Sequence, residues 1–211
     1  MKNNIQMNTT KKVDTAKVVG VGMLAGVAFI LMFFEFPIPV LIPSFIKLDI
    51  SDLPALIGAF AYGPVAGILI ELVKNLLHLL DSSSGFVGEL SNFLLGACFV
   101  GVAGCVYKLK KTKKGAIIGA LVGAVAMALF SLVTNYFIVY PFYTNFMPME
   151  TIIAAYKAIL PSVDSLFECL LIFNVPFTFV KGIISVVITM LIYKPLSPLL
   201  HGRFKTKKND N

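Results

Sequence analysis

Residues 68–80 read ILIELVKNLLHLL, and Glu71, Lys74, Asn75 and His78 stand among large aliphatics. An acid, a base, an amide and an imidazole at these intervals could make an ion pair, a proton relay or the polar wall of a binding site. At about 100° per residue the four fall within an arc of roughly 100°, so they form one stripe on an otherwise apolar helix. Glu71 and Lys74, three positions apart, can pair and reduce each other's cost of burial. Two readings stay open at this point. The stripe faces a substrate cavity, or it is a structural ion pair with a histidine near the outer interface.

Other polar groups recur among aromatics further along. GELSNFLLG carries Glu89 and Asn92, SLVTNYFIVYPFY carries Asn135, and the last apolar stretch carries Glu168, Asn174, Thr178 and Lys181. Phe93, Tyr136, Phe137, Phe142, Tyr143, Phe173 and Phe177 lie close by in sequence. A mostly apolar pocket with a few polar anchors suits a flat small molecule with polar edges. Each aromatic taken singly also fits an interfacial belt. Enzymatic constellations do not assemble. The sequence holds no G-x-x-x-x-G-K-[ST], no H-E-x-x-H and no G-x-S-x-G. Two histidines, at 78 and 201, do not build a zinc site between them. No catalytic residue, metal or catalytic cofactor is expected.

The elements that must position these groups are membrane helices. Of 211 residues, 57% are hydrophobic and 14% charged, and the mean hydropathy is +0.86. A soluble domain carries about 25% charged residues. The apolar segments are 18–36, 53–80, 85–107, 115–140 and 165–193. The net charge of +7 could suggest nucleic acid, but fourteen of the eighteen basic residues fall before the first segment, in the 108–114 loop or after the last. That distribution fits a membrane surface, and the positive-inside rule places all three regions in the cytoplasm. Cys98, Cys105 and Cys169 sit inside apolar runs and read as small core residues.

Parity then divides the 53–80 segment. The chain leaves the cell through the first helix, read as uncleaved, and must be back inside at residue 108. Segment 85–107 is one crossing, so 53–80 must supply two. As a single helix it would span about 42 Å, against a hydrocarbon core of about 30 Å. Gly63-Pro64 supplies the break. The expected fold is an all-α integral membrane protein with six transmembrane helices. Both termini are cytoplasmic and a long external loop joins helices 1 and 2. Residues 1–211 form one domain, with cytoplasmic ends at 1–14 and 201–211. Gly22 and Gly26, and Gly115, Gly119 and Gly123, are spaced for close helix approach. Packing within the bundle is the plain reading, and docking of another membrane protein the alternative.

The stretch FPIPVLIPSFIKLDISDLPALIGAFAYGPVAGILIELVKNLLHLL, then GELSNFLLG, TNYFIVYPFY and NVPFTFVKGIISVVITMLIYKPLSP, together resemble one family. It is that of the riboflavin-specific substrate-binding (S) components of energy-coupling factor (ECF) transporters. The resemblance runs from the first helix to about Leu200. It implies a flavin site near the outer face, with riboflavin as transported ligand and flavin mononucleotide as a further candidate. The implied ligand-contacting residues are Lys47, Leu48, Asp49, Asn92, Asn135 and Lys181. Thr178 stands where the family often has Asn, and Asn174, one turn earlier, is placed to compensate. Glu71 and Lys74 then become supports of the cavity wall along with Glu89, and Asn75 and His78 lie nearer the outer mouth. The resemblance also implies a transmembrane T component and two cytoplasmic ATPases as partners, docked on Ala16, Gly20, Gly22 and Gly26, in a bacterial cell membrane. Rival readings are an S component for thiamine, a pyridine-type or another vitamin, and a membrane assembly protein whose polar stripe is structural.

Overall fold

A computed structural model describes residues 15–82 and 84–200. The ends 1–14 and 201–211, expected on the cytoplasmic side, lie outside the described residues. The first helix, α1, is Thr15–Met32. Helix α2, Asp52–Tyr62, and helix α3, Pro64–His78, follow the loop after it. Helix α4 is Val87–Leu109 and α5 is Lys113–Thr134. A π-helical turn, Asn135–Val139, and a short helix α6, Tyr140–Tyr143, extend α5. Helix α7 is Met149–Lys157. Helix α8, Leu166–Cys169, runs through a second π-helical turn, Leu170–Asn174, into α9, Val175–Leu200.

Among the described residues, four continuous helical stretches are long and apolar enough to cross a membrane: Thr15–Met32, Val87–Leu109, Lys113–Tyr143 and Leu166–Ile192. Their outer surface is a field of exposed hydrophobics, including Met23, Leu129, Phe137 and Leu191. Such a continuous apolar surface belongs in lipid.

Helices α2 and α3 are separate. Gly63 between them has φ +99°, a conformation glycine adopts without penalty. Its N–H closes α2 on the Ala59 carbonyl at 3.0 Å. Pro64 then opens α3, where its missing N–H costs nothing. Helix α2 is buried along nearly its whole length.

Helix α3 is amphipathic in the sense opposite to a soluble helix. Glu71, Lys74, Asn75 and His78 are buried with Ala66, Gly67 and Ile70. Leu69, Leu72, Val73, Leu76 and Leu77 are the exposed face. In lipid this orientation is the favourable one, because ionisable groups find partners only inside the bundle.

The α5 glycines are packing devices. A Cβ on Gly119 would lie 2.7 Å from the Ala103 carbonyl oxygen, and one on Gly123 would lie 2.6 Å from that of Phe99. Bare backbone on α5 thus lets it lie directly against α4. Thr112 caps α5, its Oγ1 accepting the Gly115 N–H at 3.1 Å.

Two hydrophobic cores result. One gathers Ala25, Phe99, Tyr107, Met127 and Val186 from the long helices with Leu56 and Phe60 of α2. The other gathers Ile42, Val87, Val139, Ile152, Tyr156 and Leu170 from the loops and helix ends. The loop between α1 and α2 has structure of its own. Strands β1, Phe36–Pro37, and β2, Lys47–Leu48, pair antiparallel with Phe36 opposite Leu48 and Pro37 opposite Lys47. The loop of 144–165 contains α7, anchored by Ile152 and Tyr156, four apart and both fully buried.

Candidate functional site

A cavity opens between the two cores. Met127 and Leu95 line it from the first, and Val87, Val139, Tyr140 and Phe177 from the second. The α1–α2 loop contributes Glu35, Phe45, Ile46, Lys47 and Asp49. The polar lining also includes Asn92 and Glu89 of α4, Asn135 after α5, and Asn174, Thr178 and Lys181 of the last helical stretch.

Local sequence explains how the two long helices present their amides. Asn135 opens the first π-turn and Asn174 closes the second. Each turn precedes a proline, Pro141 and Pro176 respectively. A proline cannot donate to the preceding turn, and its ring crowds the carbonyl four residues back. Widening to a π-turn relieves that crowding. The Tyr140 N–H reaches the Asn135 carbonyl, and the Val175 N–H reaches that of Leu170. Such widened turns are common at functional sites.

Asn135 and Thr178 are buried, 3% and 6% exposed. Both line the cavity. Among the described residues, neither side chain has a hydrogen-bond partner in the protein. Neither is among the fully enclosed unpartnered polar groups of the described residues, so their polar atoms keep access to the cavity. Facing a cavity, they are available to a ligand.

Asp49 and Lys181 head a buried charged network. Lys181 Nζ donates to Asp49 Oδ2 and to Asn92 Oδ1, each at 2.9 Å, and lies 3.4 Å from Asp52 Oδ2. Asp49 Oδ1 accepts the Ser51 N–H at 2.8 Å and the Ser51 hydroxyl. Lys74 Nζ donates to Ser51 Oγ at 2.8 Å and to Asp52 Oδ1 at 2.6 Å. It also pairs with Glu71 Oε2 at 2.8 Å. Gly96 of α4 makes room for that carboxylate, since a Cβ there would overlap it. Burial alone would raise the Asp49 carboxyl, but the Lys181 and Lys74 ammoniums and the Ser51 hydrogen bond hold it well below the usual carboxylate range.

Glu89 organises the entry to α4. Gly85 and Phe86 both have positive φ, 62° and 72°, and Ser82 and Ser84 before this tight turn accept the Phe86 and Gly88 N–H groups at the helix start. Glu89 accepts Ser82 Oγ at 2.8 Å and Ser84 Oγ at 3.1 Å, and it meets His78 Nδ1 at 3.0 Å. A carboxylate in the first turn also complements the helix dipole.

The residues expected from the sequence divide as follows. Lys47, Asp49, Asn92, Asn135, Asn174, Thr178 and Lys181 come together on one cavity. Leu48 is buried but is not part of its lining. Lys47 is paired with Glu35. Glu71 and Lys74 lie behind the wall, in the charged network. Asn75 points to its own helix, donating to the Glu71 carbonyl at 2.8 Å, and not toward the mouth. His78 reaches the mouth through Glu89. Gly22 and Gly26 have open space where a side chain would project, whereas Gly20 is filled by Tyr62. Ala16 is exposed.

Two groups escaped the sequence reading. Asp52, the closest partner of Lys74, was legible as the second acid of KLDISD. Tyr140 and Tyr156 were not, because they lie sixteen positions apart on different elements. They hydrogen-bond each other, Tyr156 donates to Asn174 Oδ1 at 2.6 Å, and Asn174 Nδ2 donates to Tyr140 at 3.1 Å. Burial raises the Tyr156 phenol well above its ordinary value, so it stays protonated.

Comparison with known proteins adds the lineage. Residues 16–193 match the family described as ECF transporter, substrate-specific component. The riboflavin transporter RibU of Staphylococcus aureus (strain TCH60) is 36% identical over 197 residues, covering 92% of this chain and 98% of that protein. The riboflavin transporter FmnP of Bacillus subtilis (strain 168) is 34% identical over 186 residues, covering 86% of this chain and 92% of that protein. A solved S component of a bacterial ECF transporter superposes with a TM-score of 0.70 at 34% identity, covering 89% of this chain and 99% of that one.

Proposed function

The chain belongs to the family of ECF transporter substrate-specific components, and we propose that it captures riboflavin in the cavity between its two hydrophobic cores. Members of this family are transport components and not enzymes. The observation that carries the reading is the pair of buried, uncommitted polar groups on an otherwise largely apolar cavity, Asn135 and Thr178. An isoalloxazine is flat and mostly apolar with polar edges, and a ribityl chain needs several donors and acceptors. The names of the RibU and FmnP relatives support the same ligand.

The topology that goes with this reading is six crossings, with α2 and α3 as two short ones and both ends cytoplasmic. Helix α4 runs from the cavity at Val87 to the basic 108–114 loop. With that loop inside, the cavity faces out. Riboflavin then enters past the α1–α2 loop, which supplies five lining residues, and Lys47, Asp49, Asn92, Asn174 and Lys181 join Asn135 and Thr178 around it. Leu48 shapes the loop from behind. Uptake draws on ATP hydrolysis in two cytoplasmic ATPases, joined through a transmembrane T component on the open face of α1 at Ala16, Gly22 and Gly26.

Detergent-purified protein tests this directly. A visible flavin absorbance that survives gel filtration, or saturable binding of added riboflavin, is expected. Preferential binding of thiamine or a pyridine vitamin, displacing any flavin, would turn the assignment to another vitamin. Binding of none of these would leave the polar stripe structural.

A further inference from the structure

The Tyr140–Tyr156–Asn174 ring has a fixed proton order. An amide nitrogen only donates and an amide oxygen only accepts. Tyr156 spends its single proton on Asn174 Oδ1, so Tyr140 must donate to the Tyr156 oxygen. Tyr140 in turn accepts one N–H of Asn174. Both phenol protons and one amide N–H are consumed, and a second N–H of Asn174 is left over. All three side chains are buried, at 3%, 0% and 5% exposure for Tyr140, Tyr156 and Asn174.

The ring also fixes which flank of the amide meets the cavity. Tyr140, on the Nδ2 flank, lines the cavity together with Asn174. Tyr156, on the Oδ1 flank, is not in its lining. The nitrogen end of the amide is therefore the end beside the cavity-lining Tyr140. Tyr156 itself comes from α7, in the loop of 144–165, and is held edge-on to Phe45 and tilted against Phe173.

We propose that Tyr156 is a positioning residue for ligand selection. Through its hydrogen bond it locks the Asn174 amide with an N–H toward the cavity, so that this wall reads a hydrogen-bond acceptor on the ligand's heterocycle, a carbonyl oxygen or an unprotonated ring nitrogen. This deepens the proposed function and rests on a flavin occupying the cavity. Oxidised flavin offers such acceptors at its two carbonyls and at N1 and N5. A short loop helix thereby sets the polarity of a site it does not touch.

The test is calorimetric titration of purified wild type, Tyr156→Phe and Asn174→Ala. The ligands are riboflavin, its 1-deaza, 5-deaza, 2-thio and 4-thio analogues, and 3-methylriboflavin. In wild type at least one deaza or thio analogue binds weaker than riboflavin by about five- to thirty-fold, the loss of one hydrogen bond. In Tyr156→Phe and in Asn174→Ala that ratio falls below about threefold, because the donor is no longer held or no longer present. A purely structural Tyr156 weakens riboflavin and analogue alike and keeps the ratio, which overturns the proposal. So does a wild type indifferent to all four acceptor analogues, or a Tyr156-dependent penalty confined to 3-methylriboflavin, which would mean that the amide presents its oxygen. Should Tyr156→Phe not fold, the Asn174→Ala ratio decides. A wild type that binds no riboflavin fails at the first titration and refutes the proposed function separately.

Discussion

Lys181 Nζ donates to Asp49 Oδ2 at 2.9 Å across 132 positions of sequence. This bond ties the α1–α2 loop to the last helix over the cavity, and Asn92 and Asp52 complete the lysine's surroundings. Lys181→Ala therefore removes more than a ligand contact. It leaves two buried carboxylates short of a cation, a loss of about 3–5 kcal/mol in comparable cases. The expected outcome is a lower thermal midpoint in detergent, partly restored in Lys181→Met/Asp49→Asn. A Lys181→Ala protein as stable as wild type would show that the network is not a stabilising one.

Gly96 leaves space for the Glu71 carboxylate. Gly96→Ala should force that side chain off Lys74 and destabilise by about 1–3 kcal/mol, the usual cost of overpacking. In a Glu71→Gly background, which has no carboxylate to displace, Gly96→Ala should cost little further stability. The check is thermal unfolding of the two variants side by side. No loss in the single variant would indicate that Glu71 has another position open to it.

The acid limit of the fold should carry the signature of Asp49. Its folded-state pKa lies below the unfolded value of about 3.9, with burial opposed by Lys181, Lys74 and Ser51. Its contribution is then fully present above the unfolded value and is lost as pH falls through the folded one. The stability gap between wild type and Asp49→Asn should stay constant from pH 8 to 5 and narrow only below about pH 4. A gap that closes between pH 7 and 5 would contradict the ion pairing.

Two glycines of α1 should behave differently. A side chain at Gly22 meets nothing, whereas one at Gly20 meets the Tyr62 ring. Gly22→Leu should leave stability and flavin binding within about twofold of wild type and impair uptake in cells. Gly20→Leu should lower stability. Normal uptake by Gly22→Leu would remove this face from the docking surface.

How much of this was legible in the sequence depended on the kind of signal. Helical period placed Glu71, Lys74, Asn75 and His78 on one face, and that face is the buried one. Gly63-Pro64 is a local break with a local cause, and the chain divides there. Asn92, Asn135, Asn174, Thr178 and Lys181 were found because they interrupt apolar segments, whereas Lys47 and Asp49 came only from the family resemblance. What was not legible depends on tertiary contact. Gly20, Gly22 and Gly26 look alike in sequence, and only the position of Tyr62 separates them. Asn75 has the period of a wall residue, yet a carbonyl of its own helix takes its amide. Tyr140 and Tyr156 carry no spacing signal, because α7 brings them together from outside the long helices.

The amide of Asn135 and the hydroxyl of Thr178, both without a partner in the protein among the described residues, are the groups that take up riboflavin in the proposed function. Fluorescence titration of riboflavin against wild type and Asn135→Ala measures that role. Asn135 makes no hydrogen bond from its side chain among the described residues, so its truncation should spare the fold. Wild type should quench the flavin saturably at one ligand per chain. Asn135→Ala should bind more weakly by about 1–3 kcal/mol with an unchanged thermal midpoint. No quenching by wild type, or equal affinity in the two proteins, would mean that these groups do not hold riboflavin.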